Sequence, residues 1–389
     1  MLVKGFDVKM PEPTFSSWTP SKPRDRQIAV LMSGGVDSSV SAHLLKEEGW
    51  DVLGITMKIP VSCTSKRGCC GADAAFVCNE LQIPHYFVDV TEAFEQLIIE
   101  RFRRSYARGE TPNPCADCNA LLKFSLVWDL IKATFGINYL ATGHYAQITK
   151  NADRTNLARA KDKVKDQSYF LYGIPAQKLD HIVFPLGETT KQQVRSIAER
   201  LNLCVADKPE SMELCFAGEG DYRQMLSADN LNRPGELTDM QGRKIGEHKG
   251  IANYTIGQRR GLRFAGGKPL YVGRINAATN TVALGGKEEL CRTRVGASDA
   301  NVLIPEKIVI GARLRGKIRS YGDPHDCTVT GKTETDFEVD FDEPQFAPCP
   351  GQKLVLYDDR DCVVAGGTIT HPESRSNKTT PDKLDAASA

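Results

Sequence analysis

A short apolar run followed by Ser-Gly-Gly-Val-Asp-Ser constrains this sequence more than any other feature. Residues 28–32 have the character of a buried strand, residues 33–38 form the glycine segment, and a helical pattern begins at once. Two adjacent glycines let the backbone approach a phosphate closely, and the N–H groups at a helix start point toward an anion. The segment lacks both the lysine of a Walker A motif and the GxGxxG spacing of a dinucleotide loop. The sequence therefore predicts an α/β domain with a phosphate-binding loop of neither common kind.

Strands and helices alternate through the first half of the chain. Apolar segments with strand character lie at residues 28–32, 52–59, 85–90 and 138–145. Segments with helical character lie at residues 73–82, 91–109, 118–136 and 188–203. We expect Thr91 to cap the second of these helices, and Thr190 and Gln193 to form a capping box on the last. Such alternation is typical of a parallel sheet with helices on both faces.

The second half of the chain has a different character. A chain of 389 residues is long enough for two or three domains. After about residue 215 the apolar runs become short and are separated by glycines, which favours β structure. The boundaries that we predict are a loose N-terminal extension at 1–26, a nucleotide-binding catalytic domain at 27–215, a small β-rich domain at 216–294, a compact β module at 295–370 and a flexible, solvated tail at 371–389.

Charge and apolar patterning limit the partners of the chain. Fifty basic residues stand against forty-nine acidic ones, a formal net charge of +1, so a polyanion would have to bind a local patch. The sequence has no run of about 18 apolar residues, which argues against a membrane span. The first residues lack an apolar signal-peptide core and include Asp7 and Glu12. We therefore expect no membrane partner and a cytoplasmic location.

Two cysteines separated by two residues begin one of the predicted helices. Pro112 and Pro114 stiffen the approach to this pair. Cys115 and Cys118 fall on the first helical turn, where the helix dipole lowers the pKa of a thiol, so we expect reactive thiols. A zinc half-site, a redox pair and simple packing remain open from these residues alone. Farther along, Cys215 stands in a loop rich in charge and glycine, where a thiol is accessible.

The remaining cysteines carry weaker signals. Twelve cysteines in a chain without a secretory signal are not expected to form a disulfide framework. The crowded group of Cys63, Cys69, Cys70 and Cys78 has no firm role, although the last two would share one helix face. The cysteines that we interpret as structural, from their apolar or strand-like neighbours, are Cys204, Cys291, Cys327, Cys349 and Cys362.

The glycine loop resembles the pyrophosphate-binding loop of the PP-loop ATP pyrophosphatase superfamily, whose members cleave ATP to AMP and pyrophosphate. Within that superfamily the chain is similar to the tRNA-specific 2-thiouridylases. The strings that carry this resemblance, over about residues 27–370, are SGGVDSS, TPNPCADCN, LATGHYA, KDQSYFLYGI, FPLGE, the LCF loop, YTIGQRRGL and PGQ. The resemblance implies an α/β PP-loop domain with a parallel sheet, then a small central domain and a C-terminal β-barrel that contacts tRNA. It also implies ATP-dependent thiolation of the wobble uridine to 2-thiouridine.

The resemblance further implies roles for individual residues. ATP would lie over Leu31, Met32, Ser33, Gly34, Gly35, Val36, Asp37 and Ser38, with Met57 and Gly143 on the adenosine side and Mg²⁺ positioned by Asp37. Cys118 would be the nucleophile, and Cys215 would carry a persulfide. Asn113, Pro114 and Cys115 would face the target base. The residues in contact with tRNA would be His144, Lys165, Asp166, Gln167, Arg319, Ser320 and Gln352, of which Ser320 replaces a tyrosine common in the family.

Two thiols suit the chemistry of this reaction. The C2 oxygen of uracil is a poor leaving group, and adenylation allows it to leave as AMP. A persulfide on Cys215 stores sulfur as a nucleophile that does not diffuse. Attack by Cys118 then releases sulfide and leaves a disulfide that a reductant must reopen. The sulfur itself would come from a persulfide donor or a sulfur-relay protein.

Cys115 departs from the family pattern, in which an aspartate often stands at this position. A carboxylate with a pKa of about 4 and a thiol with a pKa of about 8.5 are not interchangeable as bases. Thiolates at Cys115, Cys118 and Cys215 would instead suit a [4Fe-4S] cluster with one iron left open to bind sulfide. Thiolation through such a cluster is therefore an alternative mechanism.

The C-terminal module is expected to present a polyanion-binding face. Basic residues alternate with other residues near its start, so a strand would place them on one face. They are Arg313, Arg315, Lys317 and Arg319. Four like charges without an acid among them fit phosphate contacts better than a solvated face. Further residues that would extend this surface are Arg259, Arg260 and Arg263.

Two other functions compete with thiolation. Another PP-loop adenylating ligase, such as an amidotransferase-type nucleotide synthetase, would share the glycine loop but has no use for the string TPNPCADCN. A metal or Fe–S binding module, built on the cysteines around residues 63–78, would not explain the glycine loop.

Overall fold

The computed structural model describes residues 2–9, 11–60, 70–151, 154–210, 214–217, 225–226, 231–262 and 268–371. Cys63, Cys69, Arg263 and the predicted tail from residue 372 onward lie outside these ranges. The strands are β1 (Leu2–Val3), β2 (Phe6–Asp7), β3 (Glu12–Pro13), β4 (Gln27–Leu31), β5 (Asp51–Lys58), β6 (His85–Asp89), β7 (Tyr139–Thr142), β8 (Ala146–Asn151), β9 (Arg154–Arg159), β10 (Ile182–Val183), β11 (Gly235–Asp239), β12 (Lys244–His248), β13 (Tyr271–Asn276), β14 (Thr281–Gly285), β15 (Cys291–Val302), β16 (Arg313–Lys317), β17 (His325–Lys332), β18 (Phe337–Phe346), β19 (Lys353–Tyr357) and β20 (Val363–Ile369).

The helices lie mainly in the first half of the chain. The α-helices are α1 (Val36–Glu47), α2 (Cys70–Glu80), α3 (Thr91–Phe94), α4 (Glu100–Ala107), α5 (Pro114–Asp117), α6 (Trp128–Phe135) and α7 (Lys191–Arg200). Two π-helical segments, Glu95–Ile99 and Cys118–Val127, join α3 to α4 and α5 to α6. Short 3-10 turns occur at Arg24–Arg26, Ser168–Phe170, Ala176–His181, Ile251–Asn253 and Glu288–Leu290. Within the described ranges, no helix combines the length and the apolar character needed to cross a bilayer.

Six strands form the sheet that carries the glycine loop, in the order β10-β7-β4-β5-β6-β3. The pairs from β10 to β6 are parallel, and β3 at the edge is antiparallel to β6. Strand β4 is buried along its whole length. The chain runs from β4 outward to β5 and β6 and then returns to β7 on the other side of β4. The carboxyl end of β4 is therefore a topological switch point, where open α/β sheets bind ligands.

The predicted strands and helices of this domain are confirmed, but one cap is different. Thr190 caps α7, and the reciprocal bond from Gln193 completes the expected capping box. The prediction that Thr91 is a cap was wrong, because Thr91 is already the first residue of α3. Val90 is the N-cap and provides no side-chain cap, while Asp89 Oδ1 accepts the Thr91 N–H at 3.1 Å.

The N-terminal extension is not loose, which corrects the prediction for residues 1–26. β1 and β2 pair as a hairpin, and β3 pairs with β6 at the edge of the large sheet. Val3 and Val8 are buried in the core, and the Trp18 N–H donates to the Tyr86 hydroxyl at 2.7 Å. A sheet edge leaves backbone groups unpaired, and a short strand with proline can cover it because Pro13 needs no ladder N–H there.

The second half of the described chain is β structure, as expected. A four-stranded sheet has the order β12-β11-β14-β13, and a closed barrel follows with the order β15-β18-β17-β16-β19-β20. An antiparallel hairpin of β8 and β9, which the sequence did not indicate, connects the first domain to this barrel. Ala158 of the hairpin forms a bridge with Cys362, and the Arg159 N–H donates to the Asp361 carbonyl at 3.0 Å. The domain limits themselves stay predictions.

Candidate active site

The glycine loop follows β4 and is closed by its own hydroxyl groups. Gly34 has a φ of +67°, which a residue with a side chain rarely adopts. The Ser38 hydroxyl accepts the Ser33 N–H at 3.2 Å and donates to the Gly35 carbonyl at 3.1 Å. Gly35 is the N-cap of α1 and provides no side-chain cap. The start of α1 is therefore suited to an anion, as the sequence predicted.

The carboxyl ends of neighbouring strands meet the loop at the same sheet edge. A Cβ atom on Gly143 would lie 2.7 Å from the Ser38 nitrogen and 2.8 Å from the Asp37 carbonyl carbon. Only glycine therefore lets the end of β7 approach the loop this closely. Met57 is half-buried at the end of β5, and Leu31 and Met32 are buried. The residues assigned to ATP are thus brought together, while their contact with ATP stays a prediction.

Asp37 lies in a network of charged groups. Lys191, the first residue of α7, donates to both Asp37 carboxylate oxygens, at 2.6 and 2.8 Å. The Tyr145 hydroxyl donates to Asp37 Oδ1 at 2.9 Å, and burial together with Asp37 raises the pKa of Tyr145. Glu210 joins the network at 3.2 Å from Lys191 and 2.8 Å from Lys165. Hydrogen bonds from Lys165 hold the pKa of Glu210 below its usual value.

A second lysine contacts the loop directly. Lys208 Nζ donates to the Gly34 carbonyl at 2.8 Å and to Asp73 Oδ2 at 2.6 Å. Sequence reasoning missed both Lys191 and Lys208, because they follow the loop by most of the domain. For Lys191, the local sequence showed that it begins a capped helix, but not that this helix starts beside the glycine loop. Together they bring positive charge to a phosphate loop that lacks a Walker lysine.

The cysteine pair begins at a capped proline turn. Asn113 is the N-cap of α5, and its Oδ1 accepts the Ala116 N–H at 3.1 Å. Cys115 lies in α5 and is exposed, whereas Cys118 begins the following π-helical segment and is buried. Cys215 is exposed, as predicted for its loop.

The expectation of a lowered thiol pKa was wrong. Cys115 and Cys215 keep some exposed surface, but the protein packed around their sulfur atoms removes most of the neighbouring water. This desolvation raises the pKa of Cys115, as it raises that of the buried Cys118, and Asp117 between them raises both further. Desolvation raises the pKa of Cys215 to about 12, and the charges of Cys118 and Cys115 add to this effect. In the resting protein all three are therefore mainly protonated at neutral pH.

Phe216, next to Cys215, packs against the rings of Phe94 and Phe102, with centroids 5.9 and 5.4 Å apart, and α3, which includes Phe94, contacts the segment that begins at Cys118. Cys215 therefore lies in the same region as the cysteine pair.

Lys123 is a further residue of this site that the sequence analysis missed. Its charge lowers the pKa of Cys115, Cys118 and Cys215. Lys123 Nζ donates to Asn119 Oδ1 at 3.0 Å, and the Asn119 amide donates to the Phe170 carbonyl at 3.0 Å. The available signal was its position about one turn beyond Cys118 on the same helix.

The histidine of the TGHY string is packed against aromatic rings. His144 lies with its ring centroid 6.3 Å from that of Phe124 and 6.2 Å from that of Phe184. Its Nδ1 is hydrogen-bonded to the Thr142 hydroxyl at 2.7 Å. Burial lowers the pKa of His144, and Lys123 lowers it further. His144 is therefore neutral, and its contact with tRNA stays a prediction.

The members of the KDQ string have different surroundings. Asp166 is buried, and its carboxylate accepts hydrogen bonds from Arg159, the Ala160 N–H and both the N–H and hydroxyl of Ser168. Gln167 Oε1 accepts the Tyr145 N–H at 3.0 Å. Lys165 is half-buried and keeps part of its side chain in solvent. In this structure all three residues bind the protein itself, and Lys165, which pairs with Glu210, is the one whose charged side chain also reaches solvent.

The basic face predicted for the barrel is largely neutralised, which corrects that expectation. The strand ends at Lys317, so it does not include Arg319. Arg313 pairs with Asp342 at 2.6 Å, Arg315 pairs with Asp361 at 3.1 Å, and Lys317 is buried. Burial lowers the pKa of Lys317. The acids come from other strands, which the local sequence could not reveal.

Three further residues to which we assigned contacts with tRNA belong to the barrel: Arg319, Ser320 and Gln352. Arg319 and Ser320 are exposed, and Arg319 donates to the Phe346 carbonyl. Gln352 donates to the Thr111 and Pro112 carbonyls, at 3.1 and 3.2 Å, and accepts a hydrogen bond from Asn113. Gln352 therefore holds the approach to the cysteine pair in this structure.

Six further described cysteines are free thiols: Cys78, Cys204, Cys291, Cys327, Cys349 and Cys362. Cys78 is buried and lies on α2, which begins at Cys70; that the two share one helix face stays a prediction. Burial raises the pKa of Cys78 to about 12. Cys327, Cys349 and Cys362 are buried and Cys291 is partly exposed, but Cys204 is exposed, contrary to our interpretation.

The described part of the chain holds no set of three His, Cys, Asp or Glu side chains arranged to bind a metal ion. The geometry therefore does not support a [4Fe-4S] cluster on Cys115, Cys118 and Cys215.

Known proteins resemble the chain over nearly all of its length. Family models for a tRNA methyl transferase HUP domain, a tRNA methyl transferase PRC-barrel domain and an aminomethyltransferase beta-barrel domain match residues 26–219, 223–286 and 293–369. The tRNA-specific 2-thiouridylase MnmA 1 of Syntrophus aciditrophicus is 45% identical over 351 residues, which cover 88% of this chain and 92% of that protein. The tRNA-specific 2-thiouridylase MnmA of Acetivibrio thermocellus is 42% identical over 358 residues, 88% of this chain and 99% of that protein.

Solved structures are more distant. The U34-tRNA thiolase NcsA from Methanococcus maripaludis, solved with its [4Fe-4S] cluster, has 20% sequence identity and a TM-score of 0.33, covering 54% of this chain and 68% of that chain. This likeness is too weak to bear on the mechanism. The match in sequence over more than nine-tenths of each of these two curated relatives is decisive: the chain belongs to the family of tRNA-specific 2-thiouridylases.

Proposed function

We propose that this protein is a cytoplasmic tRNA-specific 2-thiouridylase, which uses ATP to replace the C2 oxygen of the wobble uridine with sulfur. The observation that carries the proposal is the packing of Phe216, next to Cys215, against Phe94 of α3, a helix that contacts the segment beginning at Cys118. Two thiols that are far apart in the chain therefore lie in one region of the domain. A phosphate loop with two lysines supports the ATP-dependent step. Neither a ligase without sulfur chemistry nor a metal module needs both features.

The first step is adenylation of the uridine. ATP would bind at the switch point with its phosphates against the start of α1. The C2 oxygen attacks the α-phosphorus, and the bond to pyrophosphate breaks. Lys191 and Lys208 would stabilise the charge of the departing pyrophosphate. Asp37 has the hard oxygen ligand that Mg²⁺ prefers, and bound Mg²⁺ would add further neutralisation.

Lys191 is also the residue that links ATP binding to Asp37. In this structure Lys191 occupies both oxygens of the Asp37 carboxylate. A phosphate near α1 would compete for this ammonium group and free Asp37. The same lysine would then serve the nucleotide, with Glu210 as its second partner, at 3.2 Å.

The second step transfers sulfur. Cys215 would carry a persulfide that an external persulfide donor or a sulfur-relay protein has supplied. The Cys118 thiolate attacks Sγ of Cys215, the bond to the terminal sulfur breaks, and hydrosulfide leaves. Hydrosulfide then adds to C2, and AMP leaves with the original oxygen. The Cys118–Cys215 disulfide takes two electrons and two protons from a thiol reductant before the next turnover.

Lys123 would control the protonation of the attacking thiol. Cys118 must lose its proton, although burial raises its pKa. The positive charge of Lys123 opposes this effect at all three thiols. We therefore assign Lys123 to stabilise the thiolate of Cys118, while Asn113, Pro114 and Cys115 keep their proposed place beside the target base.

Mass analysis of tRNA nucleosides tests the function. The protein is incubated with tRNA, ATP and a persulfide donor, and 2-thiouridine and pyrophosphate are measured. Cys118→Ser and Cys215→Ser should abolish thiolation, and Cys215→Ser should still release pyrophosphate because adenylation needs no sulfur. Cys204→Ser, which changes an exposed thiol outside the site, is the matched control. Normal thiolation by either variant would overturn the two-thiol mechanism, and thiolation that requires bound iron would favour the cluster alternative.

A further inference from the structure

A buried lysine of the barrel pairs with the acid between the two cysteines of α5. Lys353 begins β19, and its side chain is only 4% exposed. Its Nζ lies 2.8 Å from Asp117 Oδ1 and 3.1 Å from the Thr368 hydroxyl. Asp117 is the last residue of α5 and lies between Cys115 and Cys118. A charge this deeply buried is costly unless it is paired, so the contact strongly favours one arrangement of helix and barrel.

The neighbouring barrel residues hold the loop that leads into α5. The Thr111 N–H donates to the Pro350 carbonyl at 2.9 Å. Gln352 donates to the carbonyls of Thr111 and Pro112. A Cβ atom on Gly351 would lie 2.9 Å from the Thr111 carbonyl group, so only glycine allows this approach. Residues 350–353 of the barrel therefore pack against residues 111–117 and fix the position of the loop that leads into α5.

We propose that Lys353 is a positioning residue for the thiol pair, acting from the barrel to fix Asp117 and to offset its negative charge beside Cys115 and Cys118. The catalytic part of this inference rests on the proposed function. Its main test is a titration of the Cys118 thiol, which can be measured without any thiolation of tRNA. With Lys353 in this role, the barrel would help to position the catalytic cysteines in addition to its proposed contact with tRNA.

The charges around the thiols determine what the variants should do. Cys118 faces Lys123, which lowers its pKa, and faces Cys115 and Asp117, which raise it. Lys353 faces Asp117, Tyr172 and Arg101, and although burial lowers its pKa, Asp117 and Tyr172 raise it above the ordinary value. Lys353 is therefore charged. Without it, the charge of Asp117 is uncompensated and should raise the pKa of Cys118, whereas removal of that charge should lower it.

The decisive experiment is the pH dependence of alkylation at Cys118 by iodoacetamide, followed by mass spectrometry of the Cys118 peptide. Lys353→Met should move the midpoint to higher pH and Asp117→Asn to lower pH, each by on the order of one unit. The double variant carries no buried unpaired charge and should lie between them. Lys307→Met is the matched control, because it breaks another barrel ion pair, with Asp358, and should leave the midpoint unchanged.

Activity provides the second readout. With tRNA, ATP and a persulfide donor, Lys353→Met should lower the turnover number for 2-thiouridine about tenfold, while the KM for ATP and the release of pyrophosphate stay close to wild type. If Lys353→Met does not fold, Asp117→Asn and the double variant still decide the question. Midpoints that move in the same direction in both single variants, or that do not move, would overturn the proposal. Opposite shifts in a protein that fails to thiolate tRNA would support the positioning role and contradict the proposed function instead.

Discussion

Lys191 donates to both carboxylate oxygens of Asp37, at 2.6 and 2.8 Å, although Lys191 begins α7 and Asp37 is the second residue of α1. The side chain of Lys191 is 13% exposed and that of Asp37 is 33% exposed, so the pair is held at the mouth of the site. The pair ties α7 to the glycine loop. A negative charge bound near the start of α1 would therefore change the ion pair that joins α1 to α7.

Lys191→Met should weaken ATP binding and slow adenylation. The variant keeps much of the side-chain volume but removes the charge proposed to stabilise pyrophosphate, and we expect a loss of about 10²-fold in kcat/KM for ATP, similar to the loss of one oriented donor. Pyrophosphate release with saturating tRNA measures the effect. Lys178→Met, which breaks the ion pair with Asp129, is the control. Equal kinetics in the two variants would contradict a role of Lys191 at the phosphates.

Gly143→Ala should damage the nucleotide site through packing alone. The new Cβ would lie within 3.0 Å of backbone atoms of Asp37 and Ser38, so the loop must move. We expect a destabilisation of about 1–3 kcal/mol and a clear loss of ATP affinity, measured by thermal unfolding and calorimetric titration. Gly246→Ala is a suitable control, because its nearest atom would be at 3.7 Å. Unchanged ATP affinity in Gly143→Ala would separate this edge of the sheet from the nucleotide.

Sulfur transfer should accelerate as the pH rises through the neutral range. Burial raises the pKa of Cys118, so the reactive thiolate is a small fraction at neutral pH and grows tenfold for each pH unit below that pKa. Lys123→Gln removes the charge that opposes this shift, so its rate should be lower at neutral pH and its profile displaced to higher pH. Lys123→Arg should retain the wild-type profile. Single-turnover formation of 2-thiouridine measures these rates, and coincident profiles for Gln and Arg would exclude an electrostatic role of Lys123.

The strands and the glycine loop were predictable because both depend on local patterns. Residues 28–32 are apolar without interruption, which suits a strand buried in a parallel sheet, and the loop motif is contiguous. Lys191 and Lys208 were not predictable in this way, because their contacts with Asp37 and Gly34 arise only when the chain returns to the sheet edge. Long-range ion pairs leave no periodic signal in the sequence.

The thiols show which of two opposing effects dominates. A helix dipole contributes about 0.3–1 kcal/mol near the first turn, which is less than one pKa unit at about 1.4 kcal/mol per unit. Burial can raise a pKa by several units. At Cys118 burial is nearly complete, so its contribution exceeds that of the dipole. The sequence indicated the start of the helix correctly but carried no information about the barrel residues that pack against the turn of Cys115 and Asp117.

The remaining positive patch for tRNA is expected around Phe346. Arg319 donates to the Phe346 carbonyl. A Cβ atom on Gly257, at the start of the loop that carries Arg259 and Arg260, would lie 3.5 Å from the Phe346 ring. Arg259 and Arg260 are exposed, in contrast to the paired or buried basic residues of β16. We therefore expect these three arginines to contact phosphates of the tRNA.

Replacing Arg259 and Arg260 together with alanine should reduce the salt dependence of tRNA binding. Each lost phosphate contact flattens the slope of log K against log salt by about 0.7–0.9, so the double variant should lose somewhat less than two units. Binding titrations at several salt concentrations measure the slope. The matched control is Arg313→Ala combined with Asp342→Ala, which removes an internal ion pair without changing the net charge. An unchanged slope in the Arg259 and Arg260 variant, or an equal loss in the control, would assign this loop to solvent.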